Sequence, residues 1–375
     1  MTTYHQMLST VTKDGLELKL VEREMPEPQA HEIVVKVEAT PINPSDHGVM
    51  FGWADISKAT SSGEGADRVL RAPLAPGGLA RMKARLGQDL PVGNEGSGTV
   101  VAAGSDAYAQ SLIGKRVAVM GGGMYGGYRA VPAMNALPLP ETASARDGAS
   151  CFVNPLTALC FVETMRGEGH TALVHTAAAS NLGQMLNRIC QSEGIDLVNV
   201  VRKTEQVEIL KKLGAKHIVN SSDADFQLQL TDAIHETGAT LGFDAIGGGD
   251  MASKILLAME AAAARTPGAY SIYGSVAHKQ VYLYGSLDFS PSTFNRAYGM
   301  AWGVGGWLLP NFLAKAGMET AVRLRKRVAD ELHTTFASHY TDEISLSEAL
   351  DADIVRRYDA KKTGEKFLIN PTLDL

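Results

Sequence analysis

LVHTAAASNLGQ, residues Leu173 to Gln184, runs from a short apolar segment through a series of small residues into a helix-like pattern. A dinucleotide-binding turn places three glycines here: one for the tight turn, one for close approach to the pyrophosphate and one for close packing of helix on strand. In this chain Ala178, Ser180 and Gly183 stand in those three places. One reading is a phosphate loop, with Ala178, Ala179, Ser180, Asn181 and Gly183 around an anion held at a helix N-terminus. The other is an ordinary helix start capped by Ser180 or Asn181. From these twelve residues alone the two readings are even.

The surrounding chain tips the balance. From about Asp147 onward, strand-like and helix-like segments alternate. TALVHTA, DLVNVVR, HIVNSS, ATLGFDAIGG and AYSIYGSV read as strands, and the segments between them read as helices. Such βαβ alternation with short connections predicts a doubly wound parallel sheet. The strand after the loop ends in Arg202-Lys203, with Arg202 19 residues beyond Gly183. An NAD-binding domain carries an acid there for the ribose 2′-hydroxyl; two cations suit the 2′-phosphate of NADPH.

The first part of the chain reads as β. HEIVVKVEAT (His31–Thr40) alternates apolar and polar residues, and GSGTVVAAGS and GKRVAVMGGG are short runs bounded by glycine. They predict a small barrel or sandwich. Residues 54–90 are polar, Gly-rich or basic and read as a long loop, a candidate lid over the pocket. HYTDEISLSEALDADIVRRYDAKKTGEKFLINP at the end reads as a strand, a helix and a strand that return to the first domain. The expected division is 1–146 with 340–375, and 147–339.

The bulk composition narrows the function. The 375 residues are 45% hydrophobic and 20% charged, and the net charge is −6, which argues against nucleic acid or an anionic membrane as partner. Cys151, Cys160 and Cys190 are irregularly spaced in apolar contexts and read as buried thiols in a reducing compartment. The first fifteen residues carry no export pattern, which predicts a cytoplasmic protein. AYGMAWGVGGWLLPNFLA (Ala297–Ala314) is uncharged but broken by Pro310, and reads as a buried helix and turn, not a membrane span.

PINPSD (Pro41–Asp46), PVGNEGSGTVVAAGS, GKRVAV followed by GGYRAVP, VNPLTAL (Val153–Leu159), HTAAASNLGQ, VNVVRKTEQVEILKKLGAKHIVNSS, YGSV and TGEKFLINP occur in this order. Together they resemble the medium-chain dehydrogenase/reductases, in particular the zinc-free quinone oxidoreductase and enoyl reductase branch. The resemblance implies an α/β fold in which a GroES-like β-barrel catalytic domain is joined to a Rossmann domain, with NADPH as hydride donor and a homodimeric assembly. It implies that Thr157 approaches the nicotinamide, that Tyr273 and Gly274 flank its ring, and that Lys366 reaches into the cofactor cleft.

Zinc-dependent members of that superfamily hold their metal with a Cys and a His where this chain has Asn43 and Asn94. A neutral amide is a poor zinc ligand, so no metal is expected. By its place in the family pattern, Asn43 becomes the candidate to touch the acceptor or the nicotinamide ribose, with an Asn-Pro turn as its competing role. Enoyl thioester reductases place a Tyr shortly after NPSD. Here Trp53 falls at that position; it has one N–H donor and no proton to give in the same way, and it reads as an aromatic wall of the substrate pocket or as simple packing. The expected activity is NADPH-dependent reduction of a small-molecule acceptor, a quinone or an enone. The alternatives are an enoyl thioester reductase and a non-catalytic NADPH-binding protein.

Overall fold

The computed structural model describes residues 2–266 and 271–374. The chain divides into two compact units: a terminal unit, Met1–Val153 with Arg325–Leu375, and a central unit, Asn154–Leu324.

The terminal unit is built on short antiparallel strands: β1 (Thr3–Val11), β2 (Leu16–Glu24), β3 (Glu32–Pro41), β4 (Thr60–Ser62), β5 (Val69–Ala72), β6 (Asp89–Pro91), β7 (Glu95–Ala103), β8 (Arg116–Met120), β9 (Tyr128–Pro132) and β10 (Ala136–Pro138). One sheet has the order β4-β5-β2-β1-β6. The other sheet is centred on β3, which pairs with both β7 and β9. Alternation in β3 sends Ile33, Val35 and Val37 into one core. A larger core gathers Met7, Leu18, Met50, Leu70, Tyr125 and Ile369, side chains whose burial is worth roughly 1.5–3 kcal/mol each.

Segment 54–90 is not a loop. Its pieces β4, β5 and β6 are three or four residues long, and they extend the first sheet on both sides: β5 pairs with β2, and β6 with β1. Strands that short carry no readable alternation, which is why the polar composition pointed to a loop.

The central unit is a six-stranded parallel sheet. Its strands are β11 (Ala172–Thr176), β12 (Asp196–Val201), β13 (His217–Asn220), β14 (Leu241–Asp244), β15 (Lys279–Leu283) and β16 (Trp302–Gly306), in the order β13-β12-β11-β14-β15-β16. The strand order reverses between β11 and β14, the place where open α/β sheets bind ligands at their strand C-termini. Val174, Val198, Ile255, Leu256 and Val281 form the core between this sheet and the helix Met251–Ala264.

Two expectations fail here. AYSIYGSV does not supply the fifth strand: Ala269 and Tyr270 lie outside the described residues, and 271–276 form turns and irregular backbone. The strand is KQVYL, β15, anchored by Lys279. Its ammonium is buried, 2.7 Å from Glu260, and also reaches Ser275. Within AYGMAWGVGGWLLPNFLA, the expected buried helix is instead the edge strand β16, followed by a helix that starts at Leu309. Among the described residues no helix is long and apolar enough to cross a membrane.

The chain end re-enters the terminal unit. β17 (Asp342–Ile344) and β18 (Phe367–Ile369) pair in parallel, and β18 lies antiparallel to β3, with Leu368 opposite Pro41 and Ile369 opposite Thr40.

Candidate functional site

In the central unit, β11 ends at Thr176 and the helix Asn181–Glu193 begins five residues later. Ser180 is its N-cap and accepts the Gly183 N–H at 3.2 Å; Gly194, in the left-handed conformation, ends it. The capped helix start and the phosphate-loop geometry therefore coexist: the hydroxyl oxygen serves the cap. The helix end still directs its first-turn N–H groups out of the strand-end face. Gly183 is required by space, since a Cβ there would lie 2.2 Å from the Ala178 carbonyl oxygen. The left-handed residue of the turn is Ala177, at φ 51°, one position before the Ala178 expected to make the turn. A left-handed non-glycine residue costs roughly 1–2 kcal/mol. Hydrogen bonds from Ala178 N to Val200 O and from Gln184 to the Ala179 carbonyl hold the loop in place.

Arg202 and Lys203 follow the last residue of β12 and are exposed. The Arg202 backbone is pinned on both sides, its N–H donating to Gln206 at 2.9 Å and its carbonyl accepting from Ser222 at 2.7 Å. On the other side of the switch point, Asp244 ends β14, fully buried. Its carboxylate accepts from Thr176 Oγ1 and from the Ile246 and Gly247 N–H groups, clasping the ends of β11 and β14. Next to it, Tyr284 N donates to Asp244 O, and a Cβ on Gly285 would meet the Ala245 carbonyl at 2.4 Å. The Tyr284 hydroxyl meets His175 Nε2 at 2.8 Å; burial pushes that imidazole down to about 3, so it is neutral. These donors suit a dinucleotide: a helix N-terminus for the pyrophosphate, cations at the end of β12, and backbone at strand ends.

Tyr273 and Gly274, expected at a strand end, are not at one. Tyr273 is 65% exposed, and its carbonyl accepts from Met300 N in a turn. Tyr284 and Gly285 occupy the end of β15 that the YGSV motif was expected to fill. Thr157 is buried in the second turn of the helix Val153–Gly167.

The terminal unit holds a buried polar cluster. Asn43 donates from Nδ2 to Glu95 Oε1 at 2.8 Å, and Glu95 Oε2 accepts the Phe152 and Val153 N–H groups at 2.8 and 2.9 Å. Asp46 accepts from Asn43 N and Asn94 N at 2.7 and 2.8 Å. Burial raises both carboxyls; for Asp46 it outweighs these hydrogen bonds and the value reaches about 7. Lys366 donates to Ser150 Oγ at 2.8 Å, and Ser150 in turn meets the Tyr340 hydroxyl at 2.7 Å. Burial pushes Lys366 down to about 8 against the pull of Glu95 and Asp46. Asn94 Nδ2 donates to Ser45. Among the described residues no three His, Cys, Asp or Glu side chains gather as a ligand set.

The family model described as zinc-binding dehydrogenase matches residues 182–299. Prostaglandin reductase-3 of Mus musculus is 29% identical over 159 residues, 42% of this chain and 41% of that protein. Mitochondrial enoyl-[acyl-carrier-protein] reductase of Bos taurus is 29% identical over 168 residues, 42% of this chain and 44% of that one. These matches span about two fifths of the curated relatives. A solved structure from Mesorhizobium loti, assigned provisionally as an NADPH:quinone reductase, is 25% identical. It covers 99% of both chains with a TM-score of 0.75.

The chain is similar to the medium-chain dehydrogenase/reductase superfamily, over residues 182–299 by the family model and along its length by the M. loti structure.

As in that superfamily, a GroES-like unit and a Rossmann unit share the chain. Trp53 is half-buried. Its ring lies under the Arg81 guanidinium, 4.0 Å from carbon to centroid, its backbone N–H donates to Met82 Sδ, and it packs on the main core of the terminal unit. These contacts are packing with a cation–π component, one of the two roles expected of it. Sequence reasoning missed Glu95, Ser150 and Tyr340 as one network with Lys366. No local motif joins positions so far apart along the chain.

Proposed function

We propose that this chain is an NADPH-dependent oxidoreductase that reduces a quinone or the activated C=C bond of an enone without a metal. The observation that carries the reading is the Arg202-Lys203 pair at the end of β12, where an NAD-preferring domain has an acid, beside the capped start of the Asn181–Glu193 helix. NADPH, when bound, supplies the hydride. The chain's residues hold it and manage charge: Ser180, Asn181 and Gly183 at the pyrophosphate, Arg202 and Lys203 at the 2′-phosphate, and Tyr284 and Gly285 at the end of β15. The provisional NADPH:quinone reductase assignment of the M. loti structure supports the acceptor class.

Asn43 is the proposed contact to the acceptor. Glu95 accepts one of its amide N–H groups, which fixes the orientation of the amide. In this reading charge that builds on an acceptor oxygen meets N–H and N⁺–H donors.

Enoyl thioester reduction is the second reading, supported by the bovine relative. The packed position of Trp53 weighs against it, because the phenol expected after NPSD has no replacement there. A panel of quinones, enones and a crotonyl thioester with NADPH separates the two. Turnover confined to the thioester would overturn the preferred reading.

A further inference from the structure

We propose that Tyr340, Ser150 and Lys366 form a proton relay that carries a proton from solvent to the acceptor after it has been reduced. The proposal rests on the oxidoreductase reading above, because it supplies the proton that such a reduction consumes.

The geometry is a continuous chain. The Tyr340 hydroxyl and Ser150 Oγ are 2.7 Å apart, and Lys366 Nζ lies 2.8 Å from the same Ser150 oxygen. Ser150 is 2% exposed, so its hydroxyl exchanges with these two groups and not with bulk water. At the outer end, Tyr340 lines a cavity of about 330 Å³ together with Arg146, Asp147, His333 and His339, room for several waters. Arg146 lies over the Tyr340 ring, its guanidinium carbon 5.2 Å from the centroid. At the inner end, the charges felt by Lys366 are those of Glu95 and Asp46, the carboxyls that brace Asn43. Burial pushes the Tyr340 hydroxyl well up, with Glu95 and Cys151 adding to the rise and Ser150 and Arg146 opposing it, so at rest the hydroxyl holds its proton. Burial brings Lys366 to about 8, so it gives up and regains a proton near neutrality.

The step balances as follows. Hydride addition leaves the acceptor with one extra electron pair and a negative charge. An N–H bond of the Lys366 ammonium breaks and a bond from that proton to the acceptor forms, leaving a neutral amine. Ser150 passes its hydroxyl proton to the amine and takes the Tyr340 proton. Tyr340 is reprotonated from water in the cavity. One solvent proton is consumed, no electrons pass through the relay, and all three residues return to their starting state.

The test uses the full chain with Tyr340→Phe, Ser150→Ala, Lys366→Arg and Lys366→Met, measuring kcat, its pH profile, the solvent deuterium isotope effect and NADPH affinity. The relay predicts that Tyr340→Phe and Ser150→Ala lower kcat roughly 10- to 100-fold, at the modest end for a proton-transfer group, with NADPH affinity retained. It predicts that Lys366→Arg fails as Lys366→Met does, because a guanidinium keeps its protons. Full turnover in Lys366→Arg, or an unchanged rate and isotope effect in Tyr340→Phe, overturns it. A second arm needs no acceptor: competitive acetylation of lysines against pH, read by mass spectrometry. Lys366 is expected to titrate well below the surface lysines and to move in Ser150→Ala. A Lys366 profile that matches the surface lysines overturns the relay. An absence of turnover with every acceptor overturns the oxidoreductase reading instead, and the acetylation arm then decides whether these groups share a proton.

Discussion

Asn43 Nδ2 and Glu95 Oε1 lie 2.8 Å apart, and the same carboxylate closes on the Phe152 and Val153 N–H groups. One buried side chain thus ties the β3–β4 connection to the backbone at Phe152 and Val153. Glu95→Gln turns one acceptor into a donor that faces donors. The expected loss is about 1–3 kcal/mol, the penalty for a buried polar group left unpaired, read as a lower urea midpoint with the same slope. An unchanged midpoint would mean that Glu95 does not brace these groups.

Asp46 sets a pH dependence. Burial raises its carboxyl from 3.8 to about 7, so the folded chain keeps a proton that the unfolded chain has released. Stability from this group is present below about pH 4 and is lost as pH rises toward 7. In melts of the parent and Asp46→Asn across that window, the parent's advantage should shrink, or its deficit grow, as pH increases. A difference that stays constant with pH would show that Asp46 titrates normally.

The loop offers a contrast between two neighbouring substitutions. Ser180→Ala removes the cap on Gly183 and is expected to cost about 1 kcal/mol while leaving the loop path intact. Gly183→Ala drives a Cβ to 2.2 Å from the Ala178 carbonyl oxygen and forces the helix from the loop, costing about 1–3 kcal/mol and NADPH affinity together. Thermal melts with and without NADPH separate the two. Equal behaviour would show that the close approach at Gly183 is not used by the cofactor.

Arg202→Ala is expected to weaken NADPH roughly 10- to 100-fold, the value of a charge-assisted hydrogen bond to phosphate, and NADH hardly at all. Fluorescence titration with both nucleotides checks it. Equal losses would remove Arg202 from the 2′-phosphate.

What the sequence disclosed was local. Ser180 and Gly183 stand three residues apart on one helix start, and the βα alternation around them repeats within short windows, so the parallel sheet and its loop were legible. β15 was not: AYSIYGSV and KQVYLYGS have similar strand character, and the choice is made by tertiary contacts, chiefly the buried Lys279 against Glu260. The 54–90 segment was misread because edge strands of three or four residues show no period. The Glu95, Ser150, Tyr340 and Lys366 network joins positions up to 271 apart in the chain, and no local pattern announces the Arg81 guanidinium over the Trp53 ring.

The central claim, metal-free NADPH oxidation coupled to a small acceptor, is tested most directly by one assay: acceptor-dependent loss of NADPH absorbance by protein dialysed against EDTA. The account predicts turnover with quinones or enones that survives chelation and is faster with NADPH than with NADH. Tight NADPH binding with no acceptor-dependent turnover, or activity that disappears on chelation and returns with zinc, would contradict it.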